Sequence, residues 1–347
     1  MATTFAVPDG RVAMAATTYT GTGTSSARSV TGVAFQPDFV WGKGRSVASQ
    51  HNLFDAVRGS GKRLISNSTA AEETNAAFGY LSSFDSDGFS TLAGSTNNEN
   101  WNQTSATYVA WSWKAGGTAV SNTAGTIASS VSANTTAGFS IVVYTGNGTN
   151  GATVGHGLGA KPSLIIEKGR STAYNWSVQG CGVLWTPATS TLFLNATNAL
   201  NVSGAIAAPT TSVFTPSATL YANESGVSNV AYCWAPVAGY SAFGSYTGNG
   251  SADGPFIYTG FRPRYIMFKR TDAAFVWGIL DTSRSPSNIA SLWLYPSDAN
   301  PDFTYASFDF VSNGFKLRAT DGAMNASGGT YIYAAFAENP LKYANAR

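Results

Sequence analysis

Apolar residues come in short bursts along this chain, separated by small and polar stretches. Phe139-Ser-Ile-Val-Val-Tyr144, Ser163-Leu-Ile-Ile-Glu167 and Tyr265-Ile-Met-Phe-Lys269 are β-branched and aromatic runs bounded by Gly, Asn or Pro, which is the pattern of strands. Phe84-Asp-Ser-Asp-Gly-Phe89 and Phe310-Val-Ser-Asn-Gly-Phe315 place Asp-Gly and Asn-Gly between aromatic flanks. That predicts hairpins whose central residues take positive φ. A helical period is nearly absent; only Thr69-Ala-Ala-Glu-Glu-Thr74 offers one helical turn.

The bursts repeat. A Tyr-Thr-Gly-x-Gly turn starts at Tyr19, Tyr144 and Tyr246, and each leads to a proline (Pro37, Pro162, Pro263) with a lysine six residues on (Lys43, Lys168, Lys269). Eight residues past the lysine stand His51, Trp176 and Trp277. Twelve past it, Asp55 and Asp281 open Asp-x-x-Arg (Asp55 to Arg58, Asp281 to Arg284), whereas the middle copy has Gly180. An aromatic strand near Thr107, Asn229 and Thr330 closes each copy. The expected fold is therefore all-β, as three tandem β-sandwich or jelly-roll-like repeats with very little helix. Expected boundaries are an N-terminal docking segment 1–16, repeat 1 over 17–114, a linker 115–137, repeat 2 over 138–239 and repeat 3 over 240–347. Each proline should lead from a loop into an interior strand.

Composition changes the picture in one respect. Charged residues are only 11% of 347, while aromatics reach 13% with 9 Trp, so a large core must sit beneath a polar but weakly charged surface. The net charge of +2 is spread without a run, which argues against a nucleic-acid or anionic-membrane partner. No stretch approaches the apolar length of a membrane span, and the N-terminus lacks a secretory h-region. A polar exterior without an export signal suits a particle assembled in a host cytoplasm and released by lysis. Cys181 and Cys233 form no disulfide framework or zinc signature and read as buried thiols.

Candidate chemistry is sparse. Gly146-Asn-Gly-Thr-Asn-Gly151 satisfies G-x-G-x-x-G, but it leads into a glycine-rich segment rather than a helix and reads as a hairpin turn. The two histidines, His51 and His156, occupy positions that the other copies fill differently. A carboxylate pair could be drawn from Asp55, Glu72, Glu73 or Asp281; the arginine three residues after Asp55 and Asp281 instead predicts structural ion pairs Asp55–Arg58 and Asp281–Arg284. Asp85-Ser-Asp87-Gly88 lacks the last glutamate of a calcium loop. No catalytic, cofactor-binding or metal-binding residue is assigned, and no enzyme is expected. Trp101, Trp185 and Trp293 have no counterpart in the other copies and lie in stretches that diverge between copies, so they are the aromatics expected to contact a glycan.

Three blocks carry a resemblance: Tyr144 to Ser171; Asp85 to Phe89 with Thr107 to Gly117; and Gly244 to Pro340. Together they resemble a repeat-domain family of tailed, often marine, bacteriophages, tail-fibre-like virion proteins of uncharacterised function. The resemblance spans nearly the whole chain from Tyr19 and implies a virion location; it brings no catalytic residue. The resulting expectation is a virion structural protein exposed on the particle surface. A tail-fibre, receptor-binding role in host attachment comes first, capsid decoration of the head second, and a polysaccharide-degrading tailspike third. Expected partners are other tail or capsid proteins, a host-surface glycan, and the chain itself as a homotrimer or higher homo-oligomer.

Overall fold

The structure is a computed structural model and describes residues 5–181, 190–202, 206–217 and 222–337. It is all-β, with a single four-residue α-helix, Gly322–Asn325, among the described residues. Three antiparallel sheets share one strand order. The first runs Met14–Thr20, Thr107–Trp113, Phe39–Gly44, Asn52–Asp55. The second runs Phe139–Thr145, Ser228–Trp234, Leu164–Gly169, Ser177–Gly180. The third runs Ser241–Thr247, Thr330–Ala337, Pro263–Arg270, Trp277–Asp281. Register repeats as well: Tyr19, Tyr144 and Tyr246 lie opposite Tyr108, Asn229 and Tyr331. The strands that follow Pro37, Pro162 and begin at Pro263 are interior, flanked on both sides.

Each sheet is buried on both faces. One face packs under a smaller second layer: Arg28–Thr31, Gly88–Leu92 and Tyr80–Asp85 over the first sheet; Val154–Gly155 with Val213–Phe214 over the second; and four strands from Phe256 to Leu317 over the third. The other faces meet one another. A single apolar cluster takes Phe39, Trp111 and Trp113 from the first sheet, Ile141, Tyr232 and Trp234 from the second, and Tyr265, Ile332 and Phe336 from the third. Trp113 stands edge-on to Trp234 at 6.1 Å and to Phe336 at 5.6 Å, and these three residues hold equivalent register positions. Burial on two faces explains why the strands read as near-continuous apolar runs instead of alternating. The copies are thus not separate beads but three walls around one core.

Several expectations change. Residues 115–137 are not a linker: Val120–Asn122 and Ser129–Asn134 extend the second sheet beside Phe139–Thr145. Its Ser- and Ala-rich edge strand shows no apolar run because only part of it is covered. Residues 1–16 are not merely a docking segment, since Met14, Ala15 and Ala16 are buried in the first strand. Thr69–Thr74 forms no helix but ends in the short strand Glu73–Thr74. Both hairpins exist, yet their turn centres are Ser86-Asp87 and Ser312-Asn313, with Asp85 opposite Gly88 and Val311 opposite Gly314. The glycines are required by crowding: a Cβ would stand 2.0 Å from the Val30 carbonyl oxygen at Gly88 and 2.1 Å from that of Ile257 at Gly314.

Candidate functional site

The sheets meet at seams that follow one rule, each copy contacting the copy before it in a closed cycle. Backbone bonds run from Asp302 N–H to Arg45 O at 2.7 Å, from Glu72 N–H to Arg170 O at 2.8 Å, and from Leu200 N–H to Thr271 O at 2.8 Å. Arg45, Arg170 and Thr271 each follow the repeated lysine by two residues. Indole N–H groups obey the same cycle, Trp176 donating to Ile65 O at 2.7 Å and Trp277 to Phe193 O at 2.9 Å. His51, in the same position of the first copy, faces the Tyr295 backbone and accepts the Trp41 indole N–H at Nδ1 instead. Burial holds its pKa well below the usual histidine value.

Charge is concentrated at two seams. Arg58 bonds the Asp55 carboxylate and reaches Glu72 at 2.9 Å, and Glu72 is clasped by Arg170 of the next copy at 2.8 and 2.9 Å. The Tyr232 hydroxyl, also from the next copy, donates to Asp55 Oδ2 at 2.8 Å. The corresponding seam repeats this set: Arg284 with Asp281 at 2.6 Å and Asp302 at 2.8 Å, Asp302 with Arg45 at 2.8 Å, and the Trp111 indole donating to Asp281 Oδ2 at 3.0 Å. Burial alone would raise the Glu72 pKa, but its bonds to Arg170 and Arg58 bring it below the usual carboxylate value. The two Asp–Arg ion pairs are therefore parts of four-residue networks that join copies, with Asp55, Arg58, Asp281 and Arg284 all nine-tenths or more buried.

The third seam has neither half of the arrangement. Gly180 replaces the aspartate and Ala334 occupies the register position of Trp111 and Tyr232. At Gly180, φ is +127° and a Cβ would lie 2.0 Å from Ser163 O, so this backbone cannot carry an aspartate. The neighbouring Cys181 thiol donates to Tyr333 O at 3.4 Å across the seam, and burial pushes its pKa up to about 12. Such a thiol is inert.

The repeated lysines are interior. Lys43 donates to Gly44 O at 2.8 Å and Ala299 O at 3.2 Å, and Lys168 to Gly169 O at 2.8 Å and Thr69 O at 3.1 Å. Lys269 donates to Arg270 O at 2.5 Å. Burial pulls all three down to about 8. The glycine-rich turns are held by asparagines absent from the sequence-based reading: Asn102, Asn223 and Asn325 accept the N–H of Thr22, Asn147 and Asn249 at 2.8, 3.0 and 2.9 Å. Each stands five residues before the closing strand, at Thr107, Ser228 and Thr330, so alignment of the copies contains the signal. The Gly146–Gly151 loop is one of these latched turns.

Two of the expected glycan aromatics are enclosed. Trp101 packs among Phe54 and Phe89, and Trp293 among Phe268 and Phe308, at 1% and 2% exposure. Neither can present a ring to a sugar, because the second layers cover both; Trp185 lies outside the described residues. His156 is a loop staple, its Nδ1 accepting the Leu158 N–H at 3.2 Å and its Nε2 bonded to Thr210 O at 3.3 Å. Asp85 accepts from Ser83 and Ser90 within its hairpin. Among the described residues no three His, Cys, Asp or Glu side chains gather to hold a metal ion, and no helix is long and apolar enough to cross a membrane.

A cavity of 380 Å³ lies where the first copy meets the third. Arg63, Glu73, Phe78, Glu99 and Asn100 line it, and Ala299 closes one side, fixed by a 3.0 Å bond from Ser49 N–H to Ala299 O. Arg63 bonds Glu73 Oε2 at 2.5 Å and Asn52 Oδ1 at 3.0 Å. Asn100 N–H donates to Phe78 O at 3.1 Å, and the Tyr108 hydroxyl donates to Glu99 O at 2.6 Å. Arg63 Nε and Asn100 Nδ2 have no partner.

Geometry of this kind defines an all-β body of three sheets closed on a common core, with polar seams. Residues 13–340 match DUF7483, a domain of unknown function, and the chain belongs to that family. No curated protein and no solved structure matches it.

Proposed function

We propose that the protein is a structural component of a tailed-phage particle that serves in host attachment, without catalysis. The observation that carries this reading is the closure of three sheets around one core in a single chain. Such a body is stiff, as a projecting attachment element must be. Its ends also differ in kind. The chain leaves the first and second sheets after Trp113 and Trp234, at the end where these residues and Phe336 sit, while the latched glycine turns lie at the opposite end. A body anchored at one end and offering preshaped loops at the other suits attachment. The resemblance of the Tyr144 to Ser171 and Gly244 to Pro340 blocks to tail-fibre-like virion proteins supports the same reading.

Burial of Trp101 and Trp293 favours head decoration as the second reading, because it removes two of the aromatics expected to touch a receptor. Gold-labelled antibody against the protein on intact particles tests the choice. Label at the tail tip, with purified protein blocking adsorption to host cells, supports attachment; label over the head supports decoration; unlabelled particles refute both.

A further inference from the structure

We propose that the cavity bounded by Arg63, Glu73, Phe78, Glu99 and Asn100 is a binding site for a neutral saccharide. The inference rests on the attachment reading and gives it a ligand class. A volume of 380 Å³ falls at the lower end of ligand sites and suits one or two sugar rings. A flat protein partner would need about 800 Å² of surface per side, which a concavity of this size does not supply.

The wall chemistry selects polyols. A sugar hydroxyl donates and accepts at once, and the wall offers both kinds of partner: carboxylates of Glu73 and Glu99 as acceptors, the Gln50 amide and the Ser68 hydroxyl as donors. Arg63 and Glu73 already neutralise each other at 2.5 Å. Glu99 then leaves the site negative, which disfavours phosphate, sulfate or an acidic sugar. Arg63 and Asn100 are 5% and 4% exposed and form the floor of the site, with the unpaired Arg63 Nε and Asn100 Nδ2 sealed beneath it. Phe78 is 40% exposed at the rim, so its ring face is free to stack on the C–H face of a pyranose. The frame is preset, since backbone and hydroxyl bonds tie Phe78 to Asn100 and Glu99 to Tyr108 before any ligand arrives.

The test is saturation-transfer NMR on the full chain with the methyl glycosides of glucose, galactose, mannose, N-acetylglucosamine and rhamnose, at millimolar concentration. Transfer to at least one of them is expected, weakened about tenfold in Phe78→Ala and in Glu99→Gln. Both side chains are exposed, so both variants should keep the wild-type melting temperature. No transfer to any probe, or transfer unchanged in both variants, overturns the proposal. Adsorption blocking is read separately. Protein that blocks adsorption but binds no probe refutes the cavity and leaves attachment standing; protein that binds a probe without blocking adsorption supports the cavity and refutes attachment.

Discussion

The Tyr232 hydroxyl donates to Asp55 Oδ2 at 2.8 Å and accepts from Arg58 Nη2 at 3.2 Å, joining residues 177 positions apart. Trp111 makes the matching bond to Asp281. A side chain near the end of one copy thus satisfies a buried ion pair near the middle of another, and the seam depends on both.

Tyr232→Phe removes the hydroxyl and little else, so guanidinium titration should show a loss of about 1–3 kcal/mol. Asp281→Ala leaves Arg284 buried without its nearest carboxylate and should cost more, about 3–5 kcal/mol. Equal stability of Tyr232→Phe and wild type would mean the seam bond contributes nothing.

A shared core predicts one unfolding event. Calorimetry should give a single transition with equal calorimetric and van't Hoff enthalpies, and residues 240–337 expressed alone should not fold cooperatively. Because the cycle of seams closes within the chain, light scattering should report the single-chain mass of 36.1 kDa and not the homotrimer expected from the sequence. Three resolved transitions, or a trimer in solution, would reverse this.

Stability should pass through a minimum near pH 8. Burial pushes Glu167 up to about 8 from 4.5, so the folded state holds a proton that the unfolded state loses; the lowered His51 and His156 oppose this until the unfolded histidines lose their protons near pH 6.5, so the fall runs from about pH 6.5 to 8. Burial also pulls Lys43, Lys168 and Lys269 from 10.5 to about 8. Above pH 8 the unfolded state binds more protons at these lysines than the folded one, so stability rises again until about pH 9, where the raised Cys181, Cys233 and buried tyrosines begin to oppose it. Urea midpoints at about pH 6.5, 8 and 9 check this, and Glu167→Gln should flatten the limb below pH 8 alone.

Trp101→Ala and Trp293→Ala should each lose about 3–5 kcal/mol, the cost of a cavity where a large aromatic stood. Any adsorption defect should track that instability. A variant that loses adsorption at unchanged melting temperature would contradict the burial described above.

Asn325 is fully buried, its Nδ2 donating to Ser251 O at 2.7 Å and Ala319 O at 2.9 Å. Asn325→Ala strands those acceptors and the Asn249 amide, so amide exchange over residues 248–251 should accelerate at least tenfold, while exchange in Pro263–Arg270 stays slow.

Strands such as Leu164–Gly169 and Pro263–Arg270 were legible because burial on both faces writes an unbroken apolar run, and the repeats gave their equivalence. The strands Val120–Asn122 and Ser129–Asn134 were not, because Ser, Ala and Asn at a sheet edge look like a spacer. The seam networks escaped for another reason. Glu72 and Asp302 lie in stretches that diverge between copies, and their arginines are 98 and 257 residues away, beyond any local pattern. Two seams share one kind of network and the third lacks it, so part of the divergence there follows the joints. Trp101 and Trp293 show the same limit, since only the second layer decides whether an aromatic is covered.

Trp41, Trp111 and Trp113 all belong to the cluster shared with the last copy, and this order along the chain has a consequence during synthesis. The first sheet is complete once Trp113 has been made; Tyr232 and Trp234 then cover part of its inner face, and the rest is covered only when Tyr265 and Phe336 arrive. For the time needed to translate more than two hundred further residues, a nascent sheet carries an inner aromatic face that is only partly covered. The inner face of the first sheet is therefore the apolar surface most open to self-association before the last copy closes on it.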